Sequence, residues 1–85
     1  MYSIEYQSDY ILIISSYNDE FKIIGLDDVN PKIISIDTYF MGLDNNQIEE
    51  AIKKVLYNNC YDIEYELEQY RTSKLYHDIK QYNQE

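Results

Sequence analysis

The hydrophobic rhythm of this chain changes once, at Gly42, and that change limits what it can fold into. Upstream, Tyr10-Ile-Leu-Ile-Ile-Ser-Ser-Tyr17 and Glu20-Phe-Lys-Ile-Ile-Gly-Leu26 are rich in the β-branched and aromatic residues that suit a pleated surface. Asn18-Asp19 between them fits a tight turn, which predicts a hairpin. The loop residues Asp27-Asp28-Val29-Asn30-Pro31 then lead into a third strand, Lys32 to Phe40. Downstream the period becomes helical. Ile48, Ala51, Ile52, Val55 and Leu56 share one face, and Glu49, Glu50, Lys53 and Lys54 lie opposite, with Asp44 placed as the N-cap. Glu49 with Lys53 and Glu50 with Lys54 have the spacing of stabilising i,i+4 pairs, and Asn58-Asn59 ends the segment. The expected fold is α+β. A three-stranded antiparallel sheet over about 10–40 is followed by two or three helices, over about 45–58, 61–71 and 74–82. So small a sheet needs a helix on one face to be stable, and the second half supplies it. At 85 residues, a single small domain spanning 1–85 is expected.

The segment Asp62-Ile63-Glu64-Tyr65-Glu66-Leu67-Glu68 places four carboxylates in seven residues, with no basic residue between Lys54 and Arg71. Its conformation has two readings. Ile63, Tyr65 and Leu67 alternate with the acids at period two, as in an edge strand with one carboxylated face. As a helix, Ile63, Leu67 and Tyr70 form a stripe and the acids spread over the other sides. The helix is the reading adopted, because Glu, Leu, Gln and Arg are good helix formers. Leu75, Ile79 and Tyr82 are rotated from that stripe, so a break is expected near Thr72-Ser73, where either hydroxyl can cap a terminal helix.

Charge narrows the partners. With 16 acidic and 7 basic residues the formal net charge is −9, which repels DNA and anionic membranes and attracts basic grooves. Direct DNA binding is therefore not expected; a basic protein that holds nucleic acid is the better match. Eleven tyrosines and no tryptophan add rings suited to interfaces, and the abundant Ile, Asn, Asp and Lys beside them hint at a low-GC genome, bacterial or phage. Tyr2, Tyr6, Tyr10 and Tyr17 are expected to pack on the sheet. Cys60 is alone, so no internal disulfide forms, and Met-Tyr-Ser-Ile-Glu does not resemble a signal peptide. No apolar run approaches the roughly 18–20 residues of a membrane span, and a cytoplasmic location is expected. Catalysis is not expected either. The chain has only Gly25 and Gly42, no phosphate-binding loop, and a single Cys60 and His77; a buried cysteine and a solvated histidine are the plain readings of the latter two. Asp27-Asp28 and Asp44-Asn45-Asn46 lack the spacing of a calcium loop, so no metal or cofactor is expected.

The acidic run is either a solvated helix face or a binding face. The missing countercharge favours the second, in which Asp62, Glu64, Glu66 and Glu68 pair with arginines and lysines of a partner and Tyr61, Tyr65 and Tyr70 pack as anchors. The order of hairpin, third strand, the helix Ile-Glu-Glu-Ala-Ile-Lys-Lys-Val-Leu, Asn-Asn, and then a carboxylate-rich aromatic segment resembles the small type II-A anti-CRISPR proteins of phages over residues 10–70. The initial helix of one such family has no counterpart here. The resemblance implies a phage-encoded inhibitor acting in the infected bacterial host, whose acidic face stands in for phosphates and blocks DNA binding by Cas9 loaded with guide RNA. Two alternatives stand beside it: an immunity protein or antitoxin that neutralises a basic nuclease, and an interaction subunit without mimicry. Oligomeric state is left open.

Overall fold

The computed structural model describes residues 1–17, 19–26, 29–56 and 63–83. Among these, four strands form one antiparallel meander: β1 (Tyr2–Gln7), β2 (Ile11–Ser16), β3 (Glu20–Gly25) and β4 (Ile33–Asp37), adjacent in chain order. A short 3-10 turn at Phe40–Gly42 leads to α1 (Asn45–Val55), α2 (Ile63–Arg71) and α3 (Lys74–Tyr82). The architecture is α+β as the sequence implies, with a correction: the sheet has four strands, not three. The additional strand is the N-terminal Tyr2–Gln7, outside the 10–40 span.

β1 is hard to read because its faces switch. Tyr2, Ile4 and Tyr6 alternate with polar residues, yet the pairing runs Ile4 to Ile14 and then Tyr6 to Ile13, so a bulge at Glu5 falls between them. Ile4 therefore joins the outer face and Tyr6 the inner one. Ser15 donates a hydrogen bond to the Glu5 carboxylate at 2.7 Å, which holds the bulged residue against β2.

The inner face carries Ile11 and Ile13 of β2, Phe21 and Ile23 of β3, and Ile34 and Ile36 of β4. All three helices contribute to the core that closes on it: Ile48, Ala51 and Ile52 from α1, Leu67 and Tyr70 from α2, and Leu75 and Ile79 from α3. On the outer face, Leu12, Ile24 and Ile33 lie side by side across three strands. Of the tyrosines expected on the sheet, Tyr6 and Tyr10 pack against the core, whereas Tyr2 and Tyr17 are exposed.

The helix ends follow local chemistry. Asp44 accepts from the amide of Asn46 at 2.8 Å and Gln47 returns a side-chain oxygen to the Asp44 amide at 2.9 Å, a reciprocal cap. Ser73, at the anticipated break, accepts from the Tyr76 amide and starts α3. The α1 pairs differ from the expected register: Lys53 lies 3.5 Å from Glu50, and Glu49 turns to Arg71. The reason is bidentate geometry, because the Arg71 guanidinium meets both Glu49 oxygens, at 2.8 and 3.1 Å, which a flexible lysine cannot match. Asn58, Asn59 and Cys60, the predicted helix end and the lone cysteine, lie outside the described residues.

The end of α1 crosses β3 closely. A methyl group on Gly25 would sit 2.8 Å from the Val55 carbonyl oxygen and 3.2 Å from its Cβ. Both are rigid parts of the helix, so Gly25→Ala is expected to destabilise by about 1–3 kcal/mol, measured as a lower urea midpoint. A variant as stable as the parent would contradict this close approach.

Candidate functional site

α2 carries most of the residues singled out by charge, and its packing divides them. Leu67 and Tyr70 point into the core, Ile63 packs at its margin, and Glu64, Tyr65 and Glu68 face outward. Tyr65 is 62% exposed. Glu66, expected on the acidic face, is instead 1% exposed, and Tyr70, expected as an anchor for a partner, is fully enclosed. Neither side chain is presented to another protein by this surface. Tyr61 and Asp62 lie outside the described residues.

Glu66 is buried because the β1–β2 turn needs it. Ser8 donates its only proton to Glu66 Oε1 at 2.6 Å, and the Ser8 oxygen accepts from the amides of Tyr10 and Ile11 at 3.3 and 3.1 Å. The serine is thereby saturated. Two polar atoms beside it have no hydrogen-bond partner, the second Glu66 oxygen and the Tyr6 hydroxyl. Burial pushes the Tyr6 hydroxyl above its ordinary range, and the Glu66 charge adds to the rise. This contact also fixes the turn bearing the exposed Asp9 against α2.

Tyr70 joins every helix to the sheet. Its ring meets Tyr6 of β1 and Tyr76 of α3 edge-on, each with centroids 5.7 Å apart, and its hydroxyl donates to Asn45 Oδ1 on α1 at 2.5 Å. Asn45 in turn donates to the Tyr76 carbonyl. Burial, then the charge of Glu49, raises the Tyr70 hydroxyl far above the ordinary tyrosine range.

The outward acids differ in their countercharge. Glu68 lies 3.2 Å from Arg71, whose guanidinium the Glu49 hydrogen bonds hold more firmly protonated than usual. Glu64 has no ion pair among the described residues. Glu64 and Glu68 stand one helical turn apart, where like charges repel by about 0.2–0.5 kcal/mol. With Tyr65 to one side of them they form a carboxylate and aromatic surface able to accept hydrogen bonds from cations and to pack a flat guanidinium. Sequence reasoning missed Ser8, Asn45 and the Arg71–Glu49 pair. Each lies far from its partner in the chain, and only the Ser8-Asp9 turn composition offered a local signal.

Among the described residues no group of histidine, cysteine and carboxylate side chains could hold a metal, and no helix is long and apolar enough to cross a membrane. The concavities include open grooves of about 300 to 550 Å³, one of them lined by Lys74, Asp78, Gln81 and Tyr82. His77 is exposed and stacks edge-on against Tyr76.

Two measurements check this division. Glu66→Gln keeps an acceptor for Ser8 and replaces a buried carboxylate whose second oxygen has no hydrogen-bond partner. It is expected to raise stability by about 1 kcal/mol in urea unfolding, and a loss of that size would contradict the assigned contacts. The second concerns alkali. Tyr6 and Tyr70 both have folded values raised above the unfolded 10.0, so the native state holds protons that the unfolded chain releases. Their contribution is full below about pH 10 and falls as pH rises beyond it. In an ultraviolet titration these two should ionise only as the fold is lost; their ionisation in the native state would contradict it.

No family model, curated protein or solved structure matches the chain, so the assignment of a role rests on the chemistry of this surface.

Proposed function

We propose that the protein is an acidic inhibitor that covers the nucleic-acid-binding surface of a basic partner protein, using the outward face of α2. The observation that carries this reading is the exposed trio Glu64, Tyr65 and Glu68, held on a helix whose opposite face is locked into the core. A rigid base matters, because side chains fixed before binding lose less freedom on association. Net charge supports the same direction: at −9 the chain is drawn toward surfaces built to neutralise phosphates and repelled by nucleic acid itself. Cas9 loaded with guide RNA is the first partner to test, on the resemblance to phage anti-CRISPR proteins. Such a protein reads its recognition duplex with arginines, which a carboxylate face can occupy in place of DNA. On this reading the protein is phage-encoded, works without catalysis and acts in the cytoplasm of the infected cell.

The direct test reverses Glu64 and Glu68 together to lysine. Neither carboxylate supports the core, so stability should stay within about 1 kcal/mol of the parent. Inhibition of DNA binding by the Cas9–guide complex should be lost in the variant, and inhibition by the parent should weaken steeply with salt. Full potency of the folded double variant would refute the assignment of this face. If the parent itself fails to inhibit Cas9 but rescues cells from a co-expressed basic nuclease toxin, the partner is the toxin.

A further inference from the structure

The two edges of the sheet are not alike. β1 carries a bulge at Glu5 and a carboxylate within the strand, two devices that keep edges from pairing with other chains. β4 has neither protection in its middle: Ile33-Ile34-Ser35-Ile36-Asp37 is unbroken, lies at the far edge, and meets its first charge only at the last residue.

The ladder shows what β4 offers. Gly25 donates its amide to the Lys32 carbonyl at 3.0 Å, and Thr38 donates to the Asp19 carbonyl at 3.0 Å. Hydrogen-bonded pairs alternate along an antiparallel ladder. Ile34 and Ile36 therefore bond to β3, and Ile33, Ser35 and Asp37 turn their amides and carbonyls to the open side. Beside that edge runs an apolar groove of about 400 Å³ lined by Ile34, Ile36 and Ala51, with Gln47, Glu50 and Lys54 along its α1 rim.

We propose that β4 pairs with β4 of a second copy of this chain, antiparallel about a twofold axis at Ser35, to give a dimer with a continuous sheet. Three features select a second copy as the occupant. First, the register is self-complementary. Ser35 opposes the partner's Ser35 and Ile33 opposes the partner's Asp37, so every outward backbone group in the strand is used, giving about six new hydrogen bonds. A shift of the axis by one residue in either direction leaves some of these groups unpaired, and one such shift brings in Pro31, which has no amide to donate.

Second, the same register places Ile34 opposite the partner's Ile36 on the inner face. Each copy thus fills the apolar groove of the other with the side chains that line its own. Third, the charge around this edge is balanced in a chain that is otherwise strongly acidic. Lys22, Lys53 and Lys54 stand beside Glu20, Asp37 and Glu50, so two copies can approach here without opposing like-charged surfaces. The exposed acids of α2 belong to a different element and play no part in the contact.

The test is the solution mass together with amide exchange on the wild-type chain. Sedimentation equilibrium from about 5 to 500 μM, a range chosen for an interface at the small end of stable size, should show mass rising from 10.3 kDa toward twice that value. Over the same range the amides of Ile33, Ser35 and Asp37 should become protected, while those of Ile34 and Ile36, already bonded to β3, stay as they are. Ser35→Pro removes only an outward-facing amide, a position where an edge strand tolerates proline, and should hold the mass at 10.3 kDa; Ser35→Ala should still dimerise. A monomer throughout the range overturns the proposal. So does a dimer that survives Ser35→Pro, or one whose new protection appears on β1 or on the helices.

Discussion

The Tyr70 side chain is the contact on which the remaining packing depends. One enclosed ring touches β1 through Tyr6 and α3 through Tyr76, and its hydroxyl reaches Asn45 at the start of α1. A chain of this size has a thin core, and large rings provide much of the buried area it can use. Tyrosine does more here than phenylalanine could, because its hydroxyl anchors an asparagine that also ties down the Tyr76 carbonyl. With Tyr70 fixed, the next turns of α2 have no freedom to rotate. Leu67 and Glu66 must face inward, and Glu64, Tyr65 and Glu68 must face out.

That rotation explains how an acidic chain accommodates its own charge. The carboxylates are distributed among three settings. Glu49 is held by the two-pronged contact of Arg71, Glu66 accepts a hydrogen bond from Ser8 and secures a turn, and Glu64 is left to solvent. Arg71 is the pivot of this arrangement, since it also reaches Glu68 from the same helix. Glu66 is thus taken out of the outward surface, and Glu68 shares its charge with Arg71.

Much of this was legible in the residues. Strand character over residues 10–40, the cap at Asp44, the helix containing Leu67 and the restart at Ser73 all come from local pattern, and local pattern is present in the sequence. β1 escaped because its bulge breaks the alternation that marks a strand, putting Ile4 and Tyr6 on opposite faces despite their spacing. The inward turn of Glu66 escaped for a different reason. A helical wheel sets Glu66 beside Tyr70 and away from Glu64 and Glu68, but a glutamate is rarely enclosed and its partner Ser8 is 58 residues away, so residue type pointed to solvent and nothing local pointed to the partner. The Arg71–Glu49 contact is likewise a matter of tertiary approach, and it overrode the i,i+4 pairing that propensity alone favours for Glu49.

Competition is the most direct measure of the proposed role, in which this surface occupies a site otherwise held by nucleic acid. Purified protein would be titrated into the Cas9–guide complex at low salt, with and without saturating target duplex, and complex formation followed. The account predicts binding to the free complex and none once the duplex is in place, each ligand excluding the other. A ternary complex of all three, or no binding at any salt concentration, would contradict it.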